Sequence, residues 1–231
     1  MNIELTEYLD AIFSEWRMGI CPGGQVSIRH KGVFVYNKCY GYANLQHQVP
    51  IDSNTVFHIA SVSKQFTVMA LLLCQEDGLL NIDDEVRNYV PEYIGFSQPV
   101  TLRQMMNNIS GIRDIWELQM MRGVRIDDTI TQQDALSIIA SQKELNFKPG
   151  SRYCYSNSNF VLLAAVVEKV TKKTLQQFLK ERVFDPLDMK HTQICENYWQ
   201  WIPNRAESYY NNGLSFQSIL MNPPHKPYRI V

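Results

Sequence analysis

Ser61 and Lys64 stand three residues apart in Phe57-His58-Ile59-Ala60-Ser61-Val62-Ser63-Lys64-Gln65-Phe66, ahead of a long apolar run. On a helix, positions three apart share one face, so the Lys64 amine can approach the Ser61 hydroxyl. A hydroxyl in the first turn also feels the positive end of the helix macrodipole, which favours a developing alkoxide. That is the layout of a nucleophile beside its activating base. Taken alone, Ser-x-x-Lys more often marks a helix cap followed by a solvated lysine. Ser63, on the other side of such a helix, reads as a capping or packing hydroxyl.

A second group follows downstream, in Phe147-Lys148-Pro149-Gly150-Ser151-Arg152-Tyr153-Cys154-Tyr155-Ser156-Asn157-Ser158-Asn159-Phe160. Pro149-Gly150 is a turn signal that fixes where the segment begins. Tyr155 and Asn157 are two apart, so an extended backbone presents both on one face. A phenol and a carboxamide placed together can relay a proton and hold a substrate amide. The plainer alternative is a loop tyrosine beside an asparagine that caps a helix starting near Ser158. Lys148 and Arg152 read first as solvated loop charges, and Cys154 as a buried structural thiol. Tyr153 fits either a packing or a pocket-lining role.

In combination, Ser-x-x-Lys on an apolar helix and Pro-Gly-x-x-x-x-Tyr-Ser-Asn before another resemble the serine β-lactamase and penicillin-binding-protein superfamily. The Tyr-x-Asn form is most similar to the class C β-lactamase branch, with its esterases and D-aminopeptidases. Leu102-Arg103-Gln104-Met105-Met106-Asn107-Asn108-Ile109-Ser110-Gly111-Ile112 resembles the family's Leu-Leu-x-His-x-Ser-Gly-Leu segment, with Asn108 in the place of His. Val183-Phe184-Asp185-Pro186-Leu187-Asp188-Met189 resembles its Phe-x-Pro-Leu-Gly-Met. The resemblance implies an α+β fold of the β-lactamase/DD-peptidase type, with an N-terminal helix and β-hairpin beside a mainly helical lobe. It implies Ser61 as the acylated nucleophile, Lys64 and Tyr155 sharing the proton work, and Asn157 orienting the substrate amide or Lys64. Ordinary lysine titrates near ~10.4, so such a base must be lowered by desolvation or a neighbouring charge.

The family's third element, a Lys-Thr-Gly or His-x-Gly triplet on a strand, has no match; His225-Lys226-Pro227 is the nearest text. A C-terminally truncated domain lacking its closing strands is the expectation. One oxyanion donor, the Ser61 backbone N–H, would remain, and loss of the other costs roughly 2.7–4 kcal/mol. An open sheet edge would then invite self-association.

The elements that must position these residues follow from periodicity. Ile3, Leu5, Tyr8, Leu9, Ile12, Phe13 and Trp16 recur at helical spacing. Pro22-Gly23-Gly24 breaks that helix, and 25–30 and 33–38, turning at Lys31-Gly32, read as a hairpin. The Ser61 helix is expected to end at Gly78 as a C-cap. Short helices and turns occupy 83–121. A helix follows from Thr131 to about Ser141, with Asp134 as a capping-box partner. Further helices run over about 158–170 and 174–182. After Asn197 the text, with Asn211-Asn212-Gly213 and Pro223-Pro224, reads as loop. The division is one incomplete domain, with 1–57 as helix and sheet portion and 58–231 as the lobe carrying both motifs.

With 231 residues and 45% hydrophobic content the chain can bury a core. A net charge of −1 from 22 basic and 23 acidic residues steers it toward neither nucleic acid nor an anionic membrane. The apolar runs are too short to span a bilayer. The amphipathic, acidic N-terminus has no signal-peptide pattern, which places the chain in the cytoplasm unless a leader was lost. Five cysteines without a Cys-x-x-Cys pair fit buried thiols in a reducing compartment. The scattered histidines lack zinc-ligand spacing, so no metal or other cofactor is expected. The expected partner is a small molecule or peptide: an ester, an amide, a β-lactam or a D-amino-acid peptide. A catalytically impaired fragment or a ligand-binding relic is the alternative.

Overall fold

Leu5, Leu9 and their neighbours form α1, Ile3–Ile12. The apolar spacing runs on to Trp16, but the helix does not; Ser14–Arg17 is a 3-10 turn instead. Phe13, Trp16 and Tyr40 form an aromatic cluster there, with ring centroids 5.2 to 6.2 Å apart. The computed structural model describes residues 3–17, 19–125, 130–196, 200–213, 215–219 and 229–230. The chain divides into two compact units, one of Met1–His58 and Trp201–Met221, the other of Ile59–Gln200 and Asn222–Val231.

In the first unit, β1 (Gly24–His30) and β2 (Val33–Tyr40) pair antiparallel, as the alternation predicts, with a bulge between Ile28 and Arg29. A side chain at Gly23 would fall 1.8 Å from the Tyr40 carbonyl oxygen, so only glycine fits this crossing. β3 (Tyr42–Asn44) pairs with β4 (Val49–Pro50). Asp10 ties α1 to the hairpin. Its carboxylate takes Lys38 Nζ at 2.6 Å, Arg17 at 2.7 Å and the Tyr36 hydroxyl at 2.7 Å.

The second unit is helical. α2 (Lys64–Glu76) ends as expected at Gly78, whose φ of +72° suits glycine. Gly78 N–H donates to Gln75 O and Leu79 N–H to Cys74 O, a Schellman closure. Beyond it lie α3 (Leu102–Met106) and α4 (Ile115–Met121). α5 (Gln132–Ala140) opens with the Thr131/Asp134 capping box that the sequence predicts. α6 (Asn157–Thr171) is the centre of the unit, with Val161–Val167 buried throughout and α2, α3, α5 and α7 (Leu175–Leu179) packed around it. The helix expected to reach about 182 instead widens into a π turn at Lys180–Phe184, where Asp185 N–H donates to Lys180 O. β5 (Ile194–Cys195) follows.

The expectation of loop after Asn197 is corrected in the first unit. β6 (Ser208–Asn211) and β7 (Phe216–Ile219) form an antiparallel hairpin. Asn211-Asn212-Gly213 is turn chemistry that joins strands: Gly213 has φ +85°, and its N–H donates to Asn211 Oδ1 at 2.8 Å. In the second unit, β8 (Arg229–Ile230) pairs with β5. His225-Lys226-Pro227 and Pro223-Pro224 lie outside the described residues. No helix among the described residues is long and apolar enough to cross a membrane.

Candidate active site

Ser61 sits in a 3-10 turn, Ala60–Ser63, that leads into α2, one step ahead of the helix turn expected for it. Lys64 is the first residue of α2, so the three-residue spacing still stacks the two side chains. Lys64 Nζ donates to Ser61 Oγ at 2.9 Å. The residue before the serine, Ala60, has φ +46°, a left-handed conformation that L-residues adopt at a cost. Ser61 is exposed, so a substrate can reach its hydroxyl.

Tyr155 lies on the extended stretch that enters α6, and Asn157 is the first residue of that helix. The Tyr155 and Ser61 hydroxyls are 2.7 Å apart. Lys64 Nζ also donates to Asn157 Oδ1 at 3.0 Å. It lies 4.9 Å from the Tyr155 ring centroid and 5.3 Å from that of Phe160. All four residues singled out in the sequence therefore meet, and Ser61 Oγ is within hydrogen-bond reach of two groups able to exchange its proton.

The extended stretch is held in place by the segment 108–114, whose role the sequence does not announce. Asn108 brackets Tyr155: its carbonyl accepts Cys154 N–H at 2.9 Å and its Oδ1 accepts Ser156 N–H at 3.1 Å. The bracket requires φ +55° at residue 108, which asparagine tolerates better than most residues. Asn108 Oδ1 also takes Asn159 Nδ2 at 3.1 Å, and Ser110 Oγ donates to Asn159 Oδ1 at 2.6 Å. Asp114, the N-cap of α4, accepts Asn157 N–H at 2.5 Å and Asn157 Nδ2 at 2.8 Å on one oxygen. A sequence signal for Asp114 did exist, because Asp followed three residues later by Glu117 is a helix-start pattern.

Other expectations near the site fare unevenly. Ser63 occupies the N-cap position of α2 but makes no side-chain cap bond. Cys154 is exposed rather than buried, although Ser156, two residues on, is buried. Of the remaining thiols, Cys21 and Cys74 are buried, and burial pushes Cys74 up to about 11. Arg152 stacks over the Phe147 ring at 4.6 Å from its centroid, and Tyr153 is exposed. Among the described residues no group of three His, Cys, Asp or Glu side chains gathers to hold a metal ion.

Comparison with known proteins gives this geometry a context. The model of the Beta-lactamase family matches residues 10–213. A D-aminopeptidase of Cereibacter sphaeroides is 36% identical over 177 residues, covering 76% of this chain and 34% of that protein. The chain thus spans about a third of that relative's length. Among solved structures, the octameric penicillin-binding protein homologue from Pyrococcus abyssi superposes with a TM-score of 0.78 at 25% identity, covering 94% of this chain and 50% of that one. D-amino acid amidase from Ochrobactrum anthropi SV3 superposes with a TM-score of 0.72 over 92% of this chain and 59% of its own, and at 22% identity the likeness is one of fold.

Proposed function

The chain belongs to the beta-lactamase family, and we propose that it is a serine hydrolase acylated at Ser61. The observation that carries this reading is the reach of Ser61 Oγ to both Tyr155 OH at 2.7 Å and Lys64 Nζ at 2.9 Å. Ser61 Oγ attacks a carbonyl carbon, and its proton passes to the Tyr155–Lys64 pair as the C–O bond forms. The pair returns that proton to the leaving amine or alcohol as its bond to the carbonyl breaks. Water then attacks the acyl ester, gives a proton to the same pair, and Ser61 leaves with a proton restored. The 3-10 turn leading into α2 offers the Ser61 N–H, and the N-terminus of α2 its positive end, to the developing oxyanion. Asn157 holds Lys64 through its oxygen.

For substrate we propose an amide or ester of an N-terminal D-amino acid, the class suggested by the D-aminopeptidase relative. The test is release of p-nitroaniline from D-alanine p-nitroanilide, with the L-enantiomer and Ser61→Ala as controls. Release from the D-compound that vanishes in Ser61→Ala supports the reading. Equal rates for the two enantiomers would remove the D-specificity, and release that survives Ser61→Ala would remove the mechanism.

A further inference from the structure

Asn157 lies between two groups of opposite chemistry. Its Oδ1 accepts from Lys64 Nζ at 3.0 Å, and its Nδ2 donates to Asp114 Oδ2 at 2.8 Å. An ionised carboxylate only accepts hydrogen bonds. The amide must therefore turn its NH2 to Asp114, which leaves its oxygen, and only its oxygen, toward Lys64. Asp114 is itself held fast. The oxygen that takes Nδ2 also takes the Asn157 backbone N–H at 2.5 Å, and Oδ1 takes Trp116 N–H at 2.9 Å. Asp114, the N-cap of α4, is 8% exposed as a residue. Buried in this way, it keeps its bonds in one geometry.

We propose that Asp114 is a positioning residue for acylation, locking the Asn157 amide so that its oxygen holds Lys64 Nζ beside Ser61 Oγ. The proposal rests on the serine-hydrolase reading above. Asp114 touches none of the reacting atoms and acts through Asn157. With a carboxamide at residue 114, an NH2 group can face the Asn157 NH2, and the amide is released to flip. A flipped amide presents hydrogens to Lys64 Nζ and no longer anchors it.

Asp114→Asn preserves size and the ability to cap α4. Acylation by a fluorescent penicillin, followed over a range of probe concentrations, separates the saturating rate from the apparent affinity. The saturating rate is expected to fall by about ten- to a hundredfold, with apparent affinity within about threefold of the unaltered protein. In an Asn157→Ala background the same substitution is expected to change the rate by less than about twofold, since the amide it acts through is gone. An unaltered rate in Asp114→Asn, or a loss that persists in full in the Asn157→Ala background, overturns the proposal. If the unaltered protein is not acylated, the hydrolase reading fails by itself, and solvent exchange of the Asn157 side-chain NH2, read by NMR, decides the clamp. Protection lost in Asp114→Asn supports it; protection equal in both proteins overturns it.

Discussion

Ala60 and Ser61 show how one residue's backbone sets another's chemistry. Ala60 at φ +46° turns the chain just before the serine, and the left-handed region costs an L-residue about 1–2 kcal/mol. Strain of this kind persists only where the surroundings over-determine it, and it clusters at functional sites. Ala60→Gly is therefore expected to stabilise the protein by up to about 1 kcal/mol, the relief being partly offset by glycine's larger unfolded entropy. It is also expected to slow acylation, because Ser61 then hangs on a freer turn. Urea unfolding and the acylation rate check the two halves, and a destabilised Ala60→Gly would contradict the strain argument. Ser61, Lys64, Tyr155 and Asn157 were legible in the sequence because the two short motifs together resemble those of a known family, whereas either spacing alone fits a plain helix cap as well. The helix-start pattern at Asp114 was legible, but what Asp114 and Asn108 hold was not, since their partners lie 43 and 48 positions away and only the fold brings them together.

At the scale of elements, Asp10 joins α1 to β2 in the first unit. The Lys38 ammonium, then the Tyr36 hydroxyl, hold its carboxyl well below the usual carboxylate range. A depressed carboxylate contributes stability that is fully present above its unfolded value near ~3.9 and is lost as pH falls toward the folded one. Asp10→Asn is accordingly expected to lower the melting temperature at pH 7, with the gap to the unaltered protein narrowing below about pH 4. A gap unchanged between pH 7 and about pH 3 would contradict the linkage. The same scale shows where sequence reading fails. The first hairpin is plain from alternation over 25–38, and the Thr131/Asp134 cap from its spacing. β6 and β7 were hidden because each is only four residues long, and Glu207 N–H reaches Ala43 O only in the folded unit. Periodicity likewise overruns at α1, where aromatic packing on Tyr40 replaces the helix after Ile12.

For the whole molecule, the family match extends over both compact units, whereas every candidate catalytic side chain belongs to one of them. The helical unit supplies Ser61 and Lys64 from α2 and its leading turn, Tyr155 and Asn157 from the entry to α6, and Asp114 from the cap of α4. Their mutual position depends on the burial of α6 against α2 and α3, which is why two motifs distant in sequence make one site. The most direct test is the intact mass of the purified protein before and after incubation with a fluorescent penicillin, with Ser61→Ala alongside. The expected result is a single adduct of the probe's mass, mapped to the peptide carrying Ser61 and lost in Ser61→Ala. A folded protein that gains no mass, or an adduct that survives Ser61→Ala, would contradict acylation at Ser61.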